Sequence, residues 1–439
     1  MFEMGRELKR LFGAAAPRDG LALGDGALLE LLDLELLRRE AGQSDIAAGR
    51  VSTRDRPMRR LESAAVWREL ARRTGDAAAL RKAASAAELA HRGFAEEGRA
   101  DEAATAQVER ARAAMLGAEL FAEEGLNAAA GHVLTEAADA SAPAQGGLAV
   151  IGARMTLASG GLDEALECAS GFDIALRQLQ GDEHRALRFE RAEALVAFGA
   201  RLHDPLLHKM ALGDLEVAGH ELDPAYRPLT WARVQELRAA ALAGIGECHG
   251  DATPLAQAVN LLNEAAEQLS PEHSPLDWAR VQNGLAAALM SLAEASGCES
   301  GYDEALERLD ATMQLLAGGT HLALRAAVVQ NRAGCLLRRA EALSDVRAID
   351  RAEAAFRAEL AALPRPVEPV AWAVLQLNLA RVYTARAVLN GRDRGERLRA
   401  SEALLAALDV FGEHGCRSLS VIGLNELERL REAAPRVAR

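Results

Sequence analysis

Few residues in this sequence are of types that do chemistry, and their spacing argues against it. His203 and His208 flank Asp204-Pro205. Two imidazoles grip a metal from one helix only when they share a face, and a proline between them breaks that face. They read as surface or capping residues. Cys248-His249 and the His414, Cys416 pair could in principle hold zinc or activate a thiol, but they lie at turns far apart in the chain. Asp303-Glu304 resembles an acid/base pair, yet at the start of a helix two carboxylates simply complement the helix dipole. The glycine-rich stretches at 24–26 and 318–320 lack the lysine of a phosphate loop. Trp231, Trp278 and Trp372 would form an aromatic cage only if their rings converged, and their even spread along the chain points to packing. The expectation is a non-catalytic chain with no metal site and no cofactor.

The elements that carry these residues repeat. Gln235, Gln282, Gln330 and Gln376 recur at intervals of about 47 residues, and so do Ala211, Ala258, Ala305, Ala352 and Ala400. One turn after each of those alanines comes Leu215, Leu262, Leu309, Phe356 or Leu404. A third ladder of small residues, Ala192, Ala239, Ala286, Gly334 and Ala380, keeps the same period and would let two helix backbones approach closely. Within each unit the apolar residues follow helical spacing twice, as in Val281, Leu285, Leu289, Leu292 and then Ala305, Leu309, Met313, Leu316. Gly250-Asp251, Gly297, Gly318-Gly319, Pro364, Pro366 and Gly391 mark the turns between. The unit is a helical hairpin. One hairpin cannot bury its own apolar stripe, so successive hairpins must stack.

Composition agrees. The 439 residues are 50% hydrophobic but only 4% aromatic, and roughly a fifth are alanine, the best helix former. Lys and Arg total 51 against 64 Asp and Glu, a net charge of −13 that disfavours a nucleic-acid partner, which would require many phosphates to be neutralised. No apolar run is long enough to span a membrane. The opening MFEMGRELKRLFG is charged throughout, unlike a secretory signal, and its Met1, Met4, Leu8, Leu11 and Phe12 suggest an apolar face docked on the body. Five scattered cysteines without C-x-x-C spacing fit reduced packing residues and a cytoplasmic location.

Leu116-Gly117-x-x-Leu120 with Ala129-x-x-x-Val133, Gly161-Leu-Asp-Glu-Ala-Leu-Glu167 with its near copy at 301–307, and Leu379-Ala380-x-x-Tyr383 resemble the tetratricopeptide repeat family. PLDWARVQN at 275–283 is similar to the long variant of that repeat common in large bacterial proteins. The resemblance covers about residues 100–434. It implies an all-α fold, a right-handed α-solenoid of stacked antiparallel hairpins, whose first helices line a concave groove. The family register places Arg233, Arg280, Asn283, Asn331, Cys335, Arg338, Arg339 and Arg381 in that groove, with Phe121, Phe189 and Glu193 toward the N-terminus. The implied function is a scaffold or adaptor that binds another protein or peptide, with an acidic or C-terminal segment suited to the arginines. The alternative is a regulatory sensor that takes a peptide or small molecule. The family's carboxylate clamp uses lysines, and only Lys9, Lys82 and Lys209 occur here. The same arginines would equally serve as ion-pair partners for glutamates on neighbouring helices.

The chain divides into residues 1–57, an N-terminal helical cap and loop; 58–180, hairpins including shorter units; 181–434, the long units; and a tail at 435–439. Leu28 through Leu37 reads as one helix apolar around much of its circumference, and Gln43 to Pro57 reads as a polar loop. Two further helices are expected around Trp67 and from Ala83 to Phe94.

Overall fold

A computed structural model describes residues 26–50, 55–121, 123–139, 141–157, 160–220, 222–318, 322–343, 346–362, 365, 369–413 and 417–432. The expected docking face at Met1 to Phe12, Pro364, Pro366, the His414, Cys416 pair and the tail lie outside them. Within the described residues all regular structure is helical, with no strand.

The first described elements are α1 (Gly26–Glu30) and α2 (Leu34–Gly49). The single apolar helix expected over residues 28–37 is therefore broken. Asp33 breaks it: its Oδ1 accepts from the Leu36 N–H at 2.7 Å and starts a new helix as its N-cap. The polar loop expected from Gln43 is also corrected, because α2 continues to Gly49 with Leu37 and Ala41 fully buried on its inner side.

Hairpins follow: α3 (Arg56–Thr74) with α4 (Ala77–Glu96), α5 (Ala100–Phe121) with α6 (Glu124–Ala137), and α7 (Ala142–Leu157) with α8 (Leu162–Leu176). The long units are α9 (Gly181–Leu202) with α10 (Pro205–Gly219), α11 (Pro228–His249) with α12 (Ala252–Glu267), and α13 (Pro275–Ser296) with α14 (Ser300–Leu315). Then come α15 (Leu322–Ala342) with α16 (Val346–Ala362), α17 (Pro369–Leu389) with α18 (Glu396–Glu413), and a final α19 (Arg417–Glu432). Aspartates at 76, 204 and 251 cap helix starts by accepting backbone N–H bonds. Gly250 and Gly297 end α11 and α13 at φ 64° and 67°, a left-handed conformation that glycine adopts without strain.

The ladders read in the sequence are the seams of this stack. Ala211, Ala258, Ala305 and Ala400 have no exposed surface, and Leu215, Leu262, Leu309, Phe356 and Leu404 are buried one turn on. Each first helix packs on the first helix of the next unit, α9 on α11, α11 on α13, α13 on α15 and α15 on α17. The array curls far enough for distant units to meet: α3 touches α13, and α5 touches α15. No helix among the described residues is long and apolar enough to cross a membrane.

Candidate binding cavity inside the curl

The curl is fastened by a buried polar network. Glu69 on α3 accepts from Arg72 and Arg73, and Arg72 donates across the interior to Asp277 at the start of α13. Asp277 also accepts from the Ser274 hydroxyl. Arg73, with no exposed surface, donates to the carbonyls of Leu32 and Leu29 and lies beside His273. Both carbonyls lie at the break between α1 and α2, where that of Leu29 also accepts from the Leu32 N–H. Burial alone would raise the Asp277 carboxyl, but the charges of Arg72 and Arg280 and the Ser274 hydrogen bond hold it at about 2. Glu69 is likewise held at about 2 against burial by Arg72 and Arg73.

Glu30 makes a second fastening. Its Oε2 accepts from the N–H groups of Leu229 and Thr230, each at 2.9 Å, and its Oε1 accepts from the Thr230 hydroxyl. These are the unpaired N–H groups of the first turn of α11, whose own N-cap residue, Arg227, offers no side-chain bond. A carboxylate from far along the chain thus caps this helix.

Between these fastenings lies a cavity of about 520 Å³ whose walls are the inner faces of α3, α5, α7, α9, α11 and α13. Met115, Leu116, Val150, Leu187 and Phe189 supply its apolar surface. Its arginines are occupied. Arg68 pairs with Glu109, Arg112 with Glu183, Arg233 with Glu193 and Glu236, and Arg280 with Glu119. Arg185 and Arg227 both meet Asp182, and Arg154 donates to the Met115 carbonyl. Glu190 on α9 differs. It lines the same cavity, remains half-buried, and no hydrogen bond or ion pair ties it to any described residue. Burial and the neighbouring charge of Glu193 push its carboxyl up to about 7, against the pull of Arg154 and Arg233.

The structure brings Arg233, Arg280, Phe189 and Glu193 together in this cavity. Phe121 packs beside it, against the cores of α3 and α13. Asn331 and Asn283 lie elsewhere and hydrogen-bond each other at 2.9 Å. Arg338 pairs with Glu294, Arg339 with Asp303 on the outer helix α14, and Arg381 with Glu426 on α19, all outside the cavity. Cys335 is not a groove residue. It is fully buried, its thiol 3.4 Å from the Tyr302 carbonyl and pushed up to about 12 by burial. His208 is likewise corrected from a surface role: it is buried, its ring set where Gly199 on α9 and Gly244 on α11 have no Cβ. His203 does sit on the surface, closing α9 at φ 51°. Trp231 and Trp278 pack in the inter-unit core and do not form a cage.

Sequence reasoning missed Glu190, Glu119, Glu30, Arg72 and Asp277. Glu190 carried a signal. It occupies the register position held by Leu237 and Gly284 in the next two units, so a carboxylate stands where the repeat otherwise places an apolar or small residue. Among the described residues, no cluster of three or more His, Cys, Asp or Glu could hold a metal ion.

No protein-family model matches this sequence, and no curated protein matches it either. Among solved structures, it is similar to a Rap protein complexed with competence and sporulation factor, at a TM-score of 0.44 and 11% identity over 84% of this chain and 98% of that one. It is also similar to a circular tandem repeat protein with novel repeat topology and enhanced subunit contact surfaces, at a TM-score of 0.25 and 14% identity over 91% of this chain and 88% of that one.

Proposed function

We propose that this chain is a non-catalytic recognition module, a long-unit tetratricopeptide-like solenoid that receives a short segment of another protein in the interior of its curl. The observation that carries this reading is the cavity itself. Six helices from six successive units converge on a space of about 520 Å³ that combines an apolar wall with ordered charges. Such a volume lies in the range of ligand sites and suits a few residues of extended peptide. The arginines expected to capture an acidic segment are already paired with glutamates, so they act here as a frame that holds the walls in place.

A photo-crosslinking amino acid placed at Phe189 tests the interior reading. A partner captured from Phe189 and absent from a control at Arg339, outside the cavity, supports it. Capture from Arg339 alone moves binding to another face and overturns it.

A second reading, a ligand sensor, draws on the contacts of α3 with α13 and of α5 with α15. A ligand held between these pairs acts on both ends of the closure at once, so its binding changes the pitch of the array. Small-angle scattering with and without ligand reads that change as a shift in radius of gyration.

A further inference from the structure

The charged groups around the cavity show what its occupant lacks and supplies. Each arginine lining it already meets a protein acceptor, and Glu119 and Glu193 are held by Arg280 and Arg233. Glu190 is the exception, a carboxyl with no partner among the described residues, set next to the apolar surface of Phe189 and Leu187. An anionic ligand would have to displace a glutamate from an existing pair. A cationic one meets an acceptor already in place, and a carboxylate in a part-desolvated site favours a charged donor over a neutral one.

We infer that the cavity takes an amphipathic ligand whose cationic group, an ammonium or guanidinium, donates to the Glu190 carboxylate while its apolar part lies on the Phe189 wall. The inference rests on the interior reading above and narrows it to a class of ligand. A peptide meets it with a lysine or arginine side chain or a free amino terminus beside an apolar residue; a free alkylamine meets it too.

Binding is then linked to pH. The groups acting on Glu190 are Glu193 on its own helix, Glu119 on α5, Arg154 on α7 and Arg233 on α11. Near neutrality Glu190 is only partly ionised, and a bound cation completes the ionisation. Affinity therefore rises roughly tenfold between pH 6 and 8, following the ionised fraction of a group titrating at about 7.

Calorimetric titration of the full chain at pH 8 tests this with four probes: acetyl-Leu-Lys-Leu-amide, the same peptide with norleucine or with glutamate at its centre, and hexylammonium. The expected result is binding of the lysine peptide and hexylammonium, with the norleucine and glutamate peptides about tenfold weaker or worse. Glu190→Gln removes that preference while its circular dichroism matches the wild type and its Tm at pH 8 is equal or higher, because a carboxyl raised by burial ionises there at a cost to stability. The pH profile of the wild type supplies a second readout that needs no variant. Equal binding of the norleucine or glutamate peptide, a flat profile, or an unchanged preference in Glu190→Gln overturns the cation inference and leaves the peptide reading standing. Binding of hexylammonium alone does the reverse, and no binding by any probe removes both.

Discussion

Arg72 and Asp277 stand 205 residues apart in sequence, yet one guanidinium nitrogen of Arg72 lies 2.8 Å from each carboxylate oxygen of Asp277. The pair joins α3 to the middle of the array. Asp277 is 7% exposed, so its charge is tolerable only while Arg72 and Ser274 remain in place.

Asp277→Ala leaves the arginine with Glu69 alone and should cost about 2–4 kcal/mol in urea unfolding at pH 7. The Arg72→Met/Asp277→Leu double variant should recover much of that loss. Equal losses in the single and double variants would show that the pair contributes nothing as a pair.

Acid should act on the same network. Glu69 and Asp277 sit at about 2 in the folded chain, below the ordinary carboxylate values of about 4 in the unfolded one. Their contribution is therefore complete above about pH 4 and is lost as pH falls from there toward 2. Tm should drop through that window, and the Asp277→Ala chain should drop less.

Glu30→Ala removes the acceptor for the first turn of α11 and should cost about 1–2 kcal/mol, as the loss of a helix cap does. Native-state hydrogen exchange locates the effect. The amides of Leu229 and Thr230 should exchange faster in the variant, and unchanged exchange there would refute the cap.

Gly244 and His208 fit each other. A Cβ on Gly244 would fall 2.2 Å from the His208 Nε2, so Gly244→Ala should cost about 1–3 kcal/mol as overpacking. Adding His208→Ala makes the room, and the double variant should lose less than the sum of the single variants. Strict additivity would place the clash elsewhere.

His208 should also shape the response to mild acid. Burial lowers its pKa, so the folded chain holds it neutral while the unfolded chain protonates near pH 6.5. The contribution of His208 is then complete above that value and declines as pH falls below it. His208→Leu should shift the change in stability between pH 7 and 5 toward greater stability in acid, against a background in which His273 and His184 act in the same direction as His208 and Glu190, raised to about 7, acts in the opposite one.

The periodic ladders made the hairpins and their seams readable from the residues alone, because alanines such as 258 and 305 are buried at the same point of successive units. Contacts that occur once could not be read that way. Glu30 with Thr230, and Arg72 with Asp277, depend on how far the array turns, and that turn accumulates from small angles between successive hairpins which no single unit encodes. The distal residues expected in the groove do not line this cavity. Arg233 and Arg280, 47 residues apart at one register position, face the interior where the curl is closed, whereas Arg338 and Arg381, at later positions of their own units, lie outside the cavity.

Arrays of stacked hairpins usually unravel from an end, since each unit leans only on its neighbours. Here α3 and α5 rest on α13 and α15, and the nearest-neighbour ladder becomes a loop in which the fate of the opening hairpins is shared with the central ones. Fraying at the start of the chain then becomes a global event. Such a molecule should melt with one sharp transition over its first three quarters and refold slowly, as chains that depend on contacts distant in sequence do. The last units, past the closure, should remain free to breathe.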